Sequence, residues 1–292
     1  MNGPAGGLQN LRSDHPEWNP WLSLVGQTLS EAADPAWERL VPAVPRRMPH
    51  APALAEAAVV LPLGLLNDWL KRLIRSAAAA GTAEMATLGA AAKSTVEAVQ
   101  LFRAALCQDT AALQSCARAL GVDVNAFTSV VELLPIPFLQ ACGRRLAPRD
   151  DSWGEGYCAT CGAWPALVEV RGIERARYLR CGRCGDEWQI HWLQCPFCNM
   201  TDHEQLLSLV PQSGDAARAI EACKSCTGYV KSFTTLQGAD KLAVMIDDLA
   251  TVDLDIAAVD QGYRRPPGPG YALNVTVGYT KSLMGGLFPR SS

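Results

Sequence analysis

The segment that decides the fold runs from Arg177 to Cys198 and reads RYLRCGRCGDEWQIHWLQCPFC. It contains two Cys-x-x-Cys pairs, and one further pair lies on each side of it along the chain. The four pairs are Cys158/Cys161, Cys181/Cys184, Cys195/Cys198 and Cys223/Cys226. Two residues between cysteines allow both sulfurs of one tight turn to reach the same ion, and a second such turn completes a tetrahedral site. The spacing therefore predicts metal binding.

The order of the pairs favours two mononuclear sites, each built from two consecutive pairs. The predicted ligand sets are Cys158, Cys161, Cys181 and Cys184 for one ion, and Cys195, Cys198, Cys223 and Cys226 for the other. An interleaved arrangement, in which the first pair joins the third, remains open. So does the choice of metal, because zinc and a single rubredoxin-type iron both accept four sulfurs in a tetrahedron.

The residues that follow the pairs support metal-binding turns. The position after the second cysteine of such a turn commonly needs a positive φ, which glycine adopts freely and asparagine adopts more readily than most residues. Gly162, Gly185 and Asn199 occupy this position in the first three turns. The fourth turn departs from the pattern, because Thr227 stands there and Gly228 comes one residue later.

Other uses of the cysteines fit less well. Disulfides require an oxidising compartment, a redox dithiol requires one pair at the start of a helix, and paired turns suit one ion better than an iron–sulfur cluster. We expect the other cysteines to be small buried residues and two nearby histidines not to be ligands; these are Cys107, Cys116, Cys142, His191 and His203. We expect nearby aromatic side chains to cover the metal cores, namely Trp164, Trp188, Trp192 and Phe197.

Composition places the chain among globular proteins, with 292 residues, 49% apolar and 19% charged. A net charge of −3 argues against nucleic-acid binding. The apolar run at 57–66 is interrupted by Pro62 and too short for a membrane span. The first residues lack the basic start and apolar stretch of an export signal, so we expect a cytoplasmic protein with reduced thiols.

We predict an α+β protein with a helical domain over residues 1–150, β metal-knuckle modules over 151–190 and 191–236, and a helix with a flexible tail over 237–292. Helices are expected at about 54–80 with a kink or split at Pro62, and at 82–107. A third is expected to begin at Asp109 or Thr110, either of which can cap it, and to stop at Gly121, and a fourth starts at Asp123. An irregular arm containing Pro16 and Pro20 precedes them. Strands are expected at 167–170, 177–179, 187–193 and 229–235.

A site closed by four thiolates has no open position for substrate, so it is structural or an electron carrier. The sequence contains no phosphate loop, nucleophile elbow or HExxH motif, and we therefore expect a protein that is not an enzyme. After Gly238 an acidic helix is expected to bury Ile246, Leu249, Val252 and Ile256. Its aspartates form either a solvated face or a patch for a basic partner.

Three stretches resemble the FdhE family of formate dehydrogenase accessory proteins: the segment quoted above, EACKSCTGYVKSF from residue 221, and DDLATVDLDIAAVDQGYRR from residue 247. The similarity covers about residues 155–265. It implies a helical domain followed by two rubredoxin-like modules that carry rubredoxin-type iron on the cysteine pairs. It also implies a cytoplasmic, non-enzymatic maturation factor that binds the catalytic subunit of respiratory formate dehydrogenase. The DDLAT and GYRR segments become candidates for partner contact.

Two other functions remain open from the sequence. A rubredoxin-like protein carries single electrons to a partner, and a zinc-ribbon scaffold serves a different client protein. The oligomeric state is left undetermined by the sequence.

Overall fold

The computed structural model describes residues 3–44, 49–91, 97–146, 153–210 and 217–280. These residues belong to two compact units. The first takes Met1–Ala57 and Pro135–Asn274, and the second takes Ala58–Leu134 and Val275–Ser292. The predicted division into four domains remains a prediction, and its boundary at residue 150 lies outside the described residues, as does the tail beyond Thr280.

The chain forms helices first, then most of its strands, then two more helices. The helices are α1 Pro4–Asp14, α2 Asn19–Ala32, α3 Leu63–Ala78, α4 Ala83–Ala86, α5 Ala98–Leu106, α6 Thr110–Leu120, α7 Val124–Glu132, α8 Ile136–Leu146, α9 Ala243–Leu249 and α10 Val252–Asp260. The strands are β1 Ala58–Pro62, β2 Leu167–Arg171, β3 Ala176–Arg180, β4 Glu187–Gln189, β5 Leu206–Leu209, β6 Arg218–Cys223, β7 Tyr229–Thr235 and β8 Thr276–Thr280.

The second unit consists of the helices α3 to α7 and a two-stranded parallel sheet of β1 and β8. Of the two residues predicted as possible caps of α6, Asp109 is the one that caps it, and α7 begins after Asp123 as predicted. The side chains of Asp109 and Asp123 accept hydrogen bonds from the third residues of α6 and α7, and Gly121 ends α6 in the left-handed conformation with φ 66°. The predicted helix at 54–80 is confirmed only after Pro62, because residues 58–62 form β1 instead.

The predicted irregular arm at the start of the chain is wrong, because α1 and α2 occupy it. Pro20 stands in the first turn of α2, where a missing backbone N–H costs no helical hydrogen bond. Leu8 and Leu11 from α1 pack with Leu22 and Val25 from α2, and Ile246 from α9 joins this core of the first unit.

The remaining strands form one six-stranded sheet in the order β4-β3-β2-β7-β6-β5. All neighbours are antiparallel except β2 and β7, which run parallel with Leu167 opposite Lys231 and Arg171 opposite Thr235. The two predicted metal modules therefore contribute three strands each to a single sheet.

Helices α9 and α10 cover one face of this sheet. Val244 of α9 packs on Leu167, and Leu254 and Ala258 of α10 pack on Ile220. The sequence predicted one continuous helix here, but the chain breaks at Ala250 and Thr251. The break changes which residues of α10 face the sheet, so Ile256, predicted to be buried, is 59% exposed.

One described stretch, Val124–Leu146, has the length and hydropathy that a membrane crossing requires. In the structure 83% of its most apolar window is buried, and core helices of water-soluble proteins meet the same two criteria. By itself this is weak support for a membrane span.

Candidate metal centres

The structure brings the eight paired cysteines together in two groups of four. The sulfurs within a group all lie within 4.8 Å of one another. The first group, here called the buried site, contains Cys158, Cys161, Cys181 and Cys184; the second, here called the surface site, contains Cys195, Cys198, Cys223 and Cys226. The pairs are thus grouped consecutively, and the interleaved arrangement is not the one that the fold adopts.

All four Cys-x-x-Cys turns close in the same way. The backbone N–H of the first cysteine donates to the carbonyl five residues later, over 2.9, 2.9, 2.8 and 2.9 Å in chain order. The residue after the second cysteine has a positive φ in every turn, namely Gly162, Gly185, Asn199 and Thr227. The sequence singled out Thr227 as a departure, and the structure places this β-branched residue at φ 57°, a conformation that costs such a side chain energy.

The buried site has four fully enclosed sulfurs, since each of its cysteines is 0% exposed. The Sγ atoms of Cys158 and Cys184 are 3.4 Å apart, and those of Cys161 and Cys181 are 3.5 Å apart. Backbone N–H groups point at the sulfurs: Thr160 donates to Cys158 Sγ over 3.4 Å. Such donors stabilise negative charge on sulfur.

Burial and hydrogen bonds between the thiols shift the pKa values of these cysteines in opposite directions. Burial raises the pKa of Cys158 and of Cys184 well above the ordinary value. Hydrogen bonds from Cys158, Cys161 and Cys184 lower the pKa of Cys181 well below it. Four thiolates at one buried point repel one another, and a cation bound to all four removes that repulsion. The donor set therefore fits a tetrahedral zinc or iron ion.

Several elements of the first unit enclose the buried site. Gly143 of α8 lies against the carbonyl of Cys184, and Gln140 of α8 donates from Nε2 to the carbonyl of Arg183 over 3.0 Å. On the other side the backbone N–H groups of Ala53 and Leu54 donate to the carbonyls of the first turn over 2.8 and 3.1 Å. The site is held inside the unit by α8 and by the segment at residues 53–54.

The surface site is more open. Cys195 and Cys223 are 3% and 1% exposed, but Cys226 is half-buried and Cys198 is exposed. The Sγ–Sγ distances are 3.7 Å for Cys195 and Cys226 and 3.8 Å for Cys198 and Cys223. Burial raises the pKa of Cys226 to about 11. Burial acts in the same direction on Cys223, but N–H groups of Cys226 and Ser225 outweigh it and lower that pKa.

The two sites sit on a structural repeat that the sequence analysis missed. Each module runs turn, strand, strand, turn, strand, and the sheet order β4-β3-β2-β7-β6-β5 sets the two modules side by side in the same orientation. Strands β5 and β6 were not predicted. The signal that could have pointed to β5 and β6 is the similar spacing of the cysteine pairs, with 19 residues between the first two pairs and 24 between the last two, because each gap has room for a hairpin.

Two ionic networks on the helix-covered face also escaped the sequence analysis. In one, the buried carboxylate of Glu169 accepts from Arg180 over 2.5 Å and from Arg171 Nε over 2.7 Å. Arg171 also donates to Glu187 over 2.6 Å. This network ties β2 to β3 and β4.

The second network involves two aspartates of the acidic helical segment, for which the sequence left a solvated face and a partner-binding patch open. The Nζ atom of Lys231, 0% exposed, lies 2.7 Å from carboxylate oxygens of both Asp248 and Asp255. Arg265 donates to Asp248 over 2.6 Å and to Asp255 over 2.9 Å, and the Tyr229 hydroxyl donates to Asp255 over 2.7 Å. These aspartates therefore clamp α9 and α10 to β7, and they form neither a purely solvated face nor a free acidic patch.

The remaining candidates have mixed outcomes. Cys142 is buried as expected, whereas Cys107 and Cys116 are half-buried. Trp188 is buried, whereas Trp192 is 52% exposed, and its role as a cover stays a prediction. Trp192 lines a groove of about 380 Å³ together with Cys195 and Cys223, and the Arg175 guanidinium lies 5.6 Å from its ring centre. The histidines His191 and His203 belong to neither cysteine group.

Comparison with known proteins finds similarity to FdhE proteins over part of the chain. Residues 179–269 match the family model described as "FdhE, C-terminal domain". A Protein FdhE homolog of Pseudomonas aeruginosa is 38% identical over 119 residues, which is 38% of this chain and 38% of that protein. Protein FdhE of Escherichia coli O127:H6 is 32% identical over 111 residues, 37% of this chain and 35% of that protein. The matches span less than half the length of these relatives.

A solved structure shares the fold over nearly the whole chain. The crystal structure of the FdhE protein from Pseudomonas aeruginosa superposes with a TM-score of 0.58 and 23% sequence identity, covering 93% of this chain and 94% of that chain. The expected α+β fold, with a helical N-terminal part and two cysteine-turn modules, is thereby confirmed.

Proposed function

We propose that this chain, whose residues 179–269 match the FdhE C-terminal domain model, is a metal-binding accessory factor for the maturation of a respiratory formate dehydrogenase. The observation that carries the proposal is that the segment matched by the family model overlaps the two candidate metal sites. The matched segment contains the last three cysteine pairs, and the fold adds the first pair to complete the buried site.

The eight cysteines of the two sites are the proposed metal ligands, with rubredoxin-type iron in two mononuclear sites and zinc as the alternative. When bound, such an ion holds the thin hairpins of the sheet in one shape, because metal binding and folding are linked in small cysteine modules. The backbone N–H groups of Thr160 and Gly228 donate to the sulfurs of Cys158 and Cys226 over 3.4 Å each and hold those thiolates in place.

The chain's own chemistry supports binding rather than catalysis. Four sulfurs fill the tetrahedron, so neither site leaves a position for water or substrate. The proposed role is therefore non-enzymatic. In the cytoplasm, where thiols stay reduced, the folded chain would bind the catalytic subunit of the dehydrogenase and hold it until its cofactors are in place. A net charge of −3 is consistent with a protein partner rather than nucleic acid.

One observation favours a second function, that of a one-electron carrier. The exposed side chain of Cys198 gives an iron in the surface site a short path to solvent and to a redox partner. A carrier requires reversible cycling of the ion, whereas a binding factor does not.

The test is purification without oxygen, followed by metal analysis, visible spectroscopy and co-purification with the catalytic subunit. Ferric iron in four sulfurs is red, whereas zinc is colourless. The proposal expects two metal ions per chain and capture of the subunit by iron-loaded and zinc-loaded protein alike. If neither the iron-loaded nor the zinc-loaded protein captures the catalytic subunit, the proposed partner is wrong. If only the iron-loaded protein captures it, the function as an electron carrier is favoured.

A further inference from the structure

We infer that the two metal sites differ in reactivity and that Cys198 is a modification site for small soft electrophiles and peroxides. On this inference the surface site opens first, through Cys198, while the buried site keeps its ion. The inference rests on the proposed function, because it presupposes that both sites hold metal.

The exposure of the sulfurs supports the difference. All four cysteines of the buried site are 0% exposed, so a reagent cannot touch any of them without prior unfolding of the surrounding structure. Cys198 is exposed in the folded chain. It is the second cysteine of the first turn of its module, and Cys161 occupies the same position in the buried site. Cys161 is therefore the matched residue with which the reactivity of Cys198 can be compared in the same chain.

The packing around the two corresponding turns explains this exposure. The turn that carries Cys161 is hydrogen-bonded on its outer side by Ala53, Leu54 and Tyr271, over 2.8, 3.1 and 2.9 Å. The turn that carries Cys198 is closed by bonds of its own: Asn199 N–H donates to Cys195 over 3.0 Å, and Gln194 Nε2 donates to Asn199 Oδ1 over 2.9 Å. The turn that carries Cys198 packs against Gly156 through the carbonyl of Pro196, and this contact leaves the side chain of Cys198 exposed.

The chemistry at Cys198 can be written in full. The thiolate of Cys198 has an electron pair that attacks an electrophile. With hydrogen peroxide the sulfur takes one oxygen, the O–O bond breaks and hydroxide leaves, which gives a sulfenic acid. The thiolate of Cys223, whose Sγ lies 3.8 Å away, then attacks that sulfur and expels a second hydroxide to form a disulfide. Two of the four sulfur ligands of the surface site are then lost together, and an ion held there would be released.

An alkylating agent reaches the same sulfur without redox chemistry. With iodoacetamide a carbon–sulfur bond forms at Cys198, the carbon–iodine bond breaks, and iodide leaves with its electron pair. The thioether product is uncharged and a poorer ligand for zinc than the thiolate it replaces. We therefore expect both alkylation and oxidation to modify Cys198 first and to release the ion of the surface site.

The experiment uses the full chain loaded with zinc, in which the ion itself undergoes no redox change. Cys107→Ser and Cys116→Ser remove the two half-buried thiols that belong to neither site. The protein is treated with limiting iodoacetamide or, separately, hydrogen peroxide. Zinc release is followed with a chromogenic chelator, and the modified peptides are identified by mass spectrometry.

The expected result is release in two phases, with one zinc ion leaving while the other stays. The first alkylated residue is Cys198, and peroxide first yields the Cys198–Cys223 disulfide. In Cys198→Ser the fast phase is lost, whereas in the matched Cys161→Ser the fast phase is kept and the slow phase is lost.

Equal labelling of Cys161 and Cys198, or release of both ions in one phase, overturns the inference. Peptide mapping of the chain with all eight ligands intact gives this answer even where Cys161→Ser does not fold. Fewer than two zinc ions in the untreated protein is a different result, because it contradicts the proposed function and not the order of reactivity.

Discussion

The backbone of Gly143 in α8 lies directly against the carbonyl group of Cys184 in the buried site. A methyl group at residue 143 has no room, because the atoms it meets are backbone rather than the end of a flexible side chain. Helix α8 can therefore lie this close to the turn only because residue 143 is a glycine.

We expect Gly143→Ala to lower the free energy of unfolding by about 1–3 kcal/mol through overpacking, and to speed metal loss from the buried site. Chemical denaturation and chelator kinetics measure the two effects. The matched control is Gly64→Ala in α3, where a side chain meets nothing within 4 Å. It should be neutral or stabilising, because alanine is the better helix former. Equal behaviour of the two variants would contradict the packing argument.

At Thr227 we expect a substitution to stabilise the protein, because the left-handed backbone conformation of this residue is unfavourable for a β-branched side chain. Thr227→Gly should raise the stability of the surface site by about 1 kcal/mol or less, because the gain from relieved strain exceeds the entropy cost of glycine only slightly. Its hydroxyl donates to the Cys226 carbonyl over 2.7 Å, and the loss of that bond limits the gain. The midpoint of chelator-induced unfolding is the measurement. Thr201→Gly, at an exposed residue without a positive φ, should destabilise instead.

The consecutive grouping of the cysteine pairs predicts the metal content of two double variants. Cys158→Ser with Cys184→Ser removes two ligands from the buried site and should leave one ion per chain. Cys158→Ser with Cys198→Ser damages both sites and should leave none. An interleaved arrangement predicts the reverse, so elemental analysis of the two proteins distinguishes the arrangements. Each lost site removes about 10 kcal/mol or more of binding energy.

The clamp formed by Lys231, Asp255 and Arg265 predicts a dependence of stability on pH. Burial raises the pKa of Asp255, but Arg265 and Lys231 outweigh it, so that the pKa lies below the ordinary value. A carboxylate with a lowered pKa stabilises the fold fully above its unfolded pKa of about 3.9, and this contribution is lost as the pH falls through the folded pKa.

Asp255→Asn should therefore be less stable than wild type near neutral pH, and the difference should shrink as the solution is acidified below about pH 4. Asp253→Asn on the same helix is the control, because Asp253 is exposed. Acid also protonates the cysteine ligands, but that effect is common to both variants. A difference that stays constant across the pH series would show that Asp255 acts through packing and not through its charge.

The sequence predicted the local features that depend on neighbouring residues. Asp109, Gly121 and Asp123 mark helix ends because their side chains or backbone freedom act within one turn. The grouping of the cysteine turns followed from their order along the chain. The strands β2, β3, β4 and β7 were also found, since their β-prone residues adjoin the turns.

The features that depend on distant parts of the chain were not predictable in this way. The parallel ladder of β2 and β7 joins two modules, and no local pattern specifies it. Ile256 was assigned to the wrong face because the break at Ala250 and Thr251 shifts the helical register. The partners of Asp248 and Asp255 are Lys231 and Arg265, and the sequence alone did not show which cations would reach them.

The ladder between β2 and β7 also orders events during synthesis. A ribosome releases β2 well before β7, so the edge of β2 that faces β7 has no strand to pair with until Thr235 has emerged. Open strand edges attract other chains, and a nascent polypeptide halted before Tyr229 would expose one. Translation through the end of β7 is therefore the step that closes the middle of the sheet.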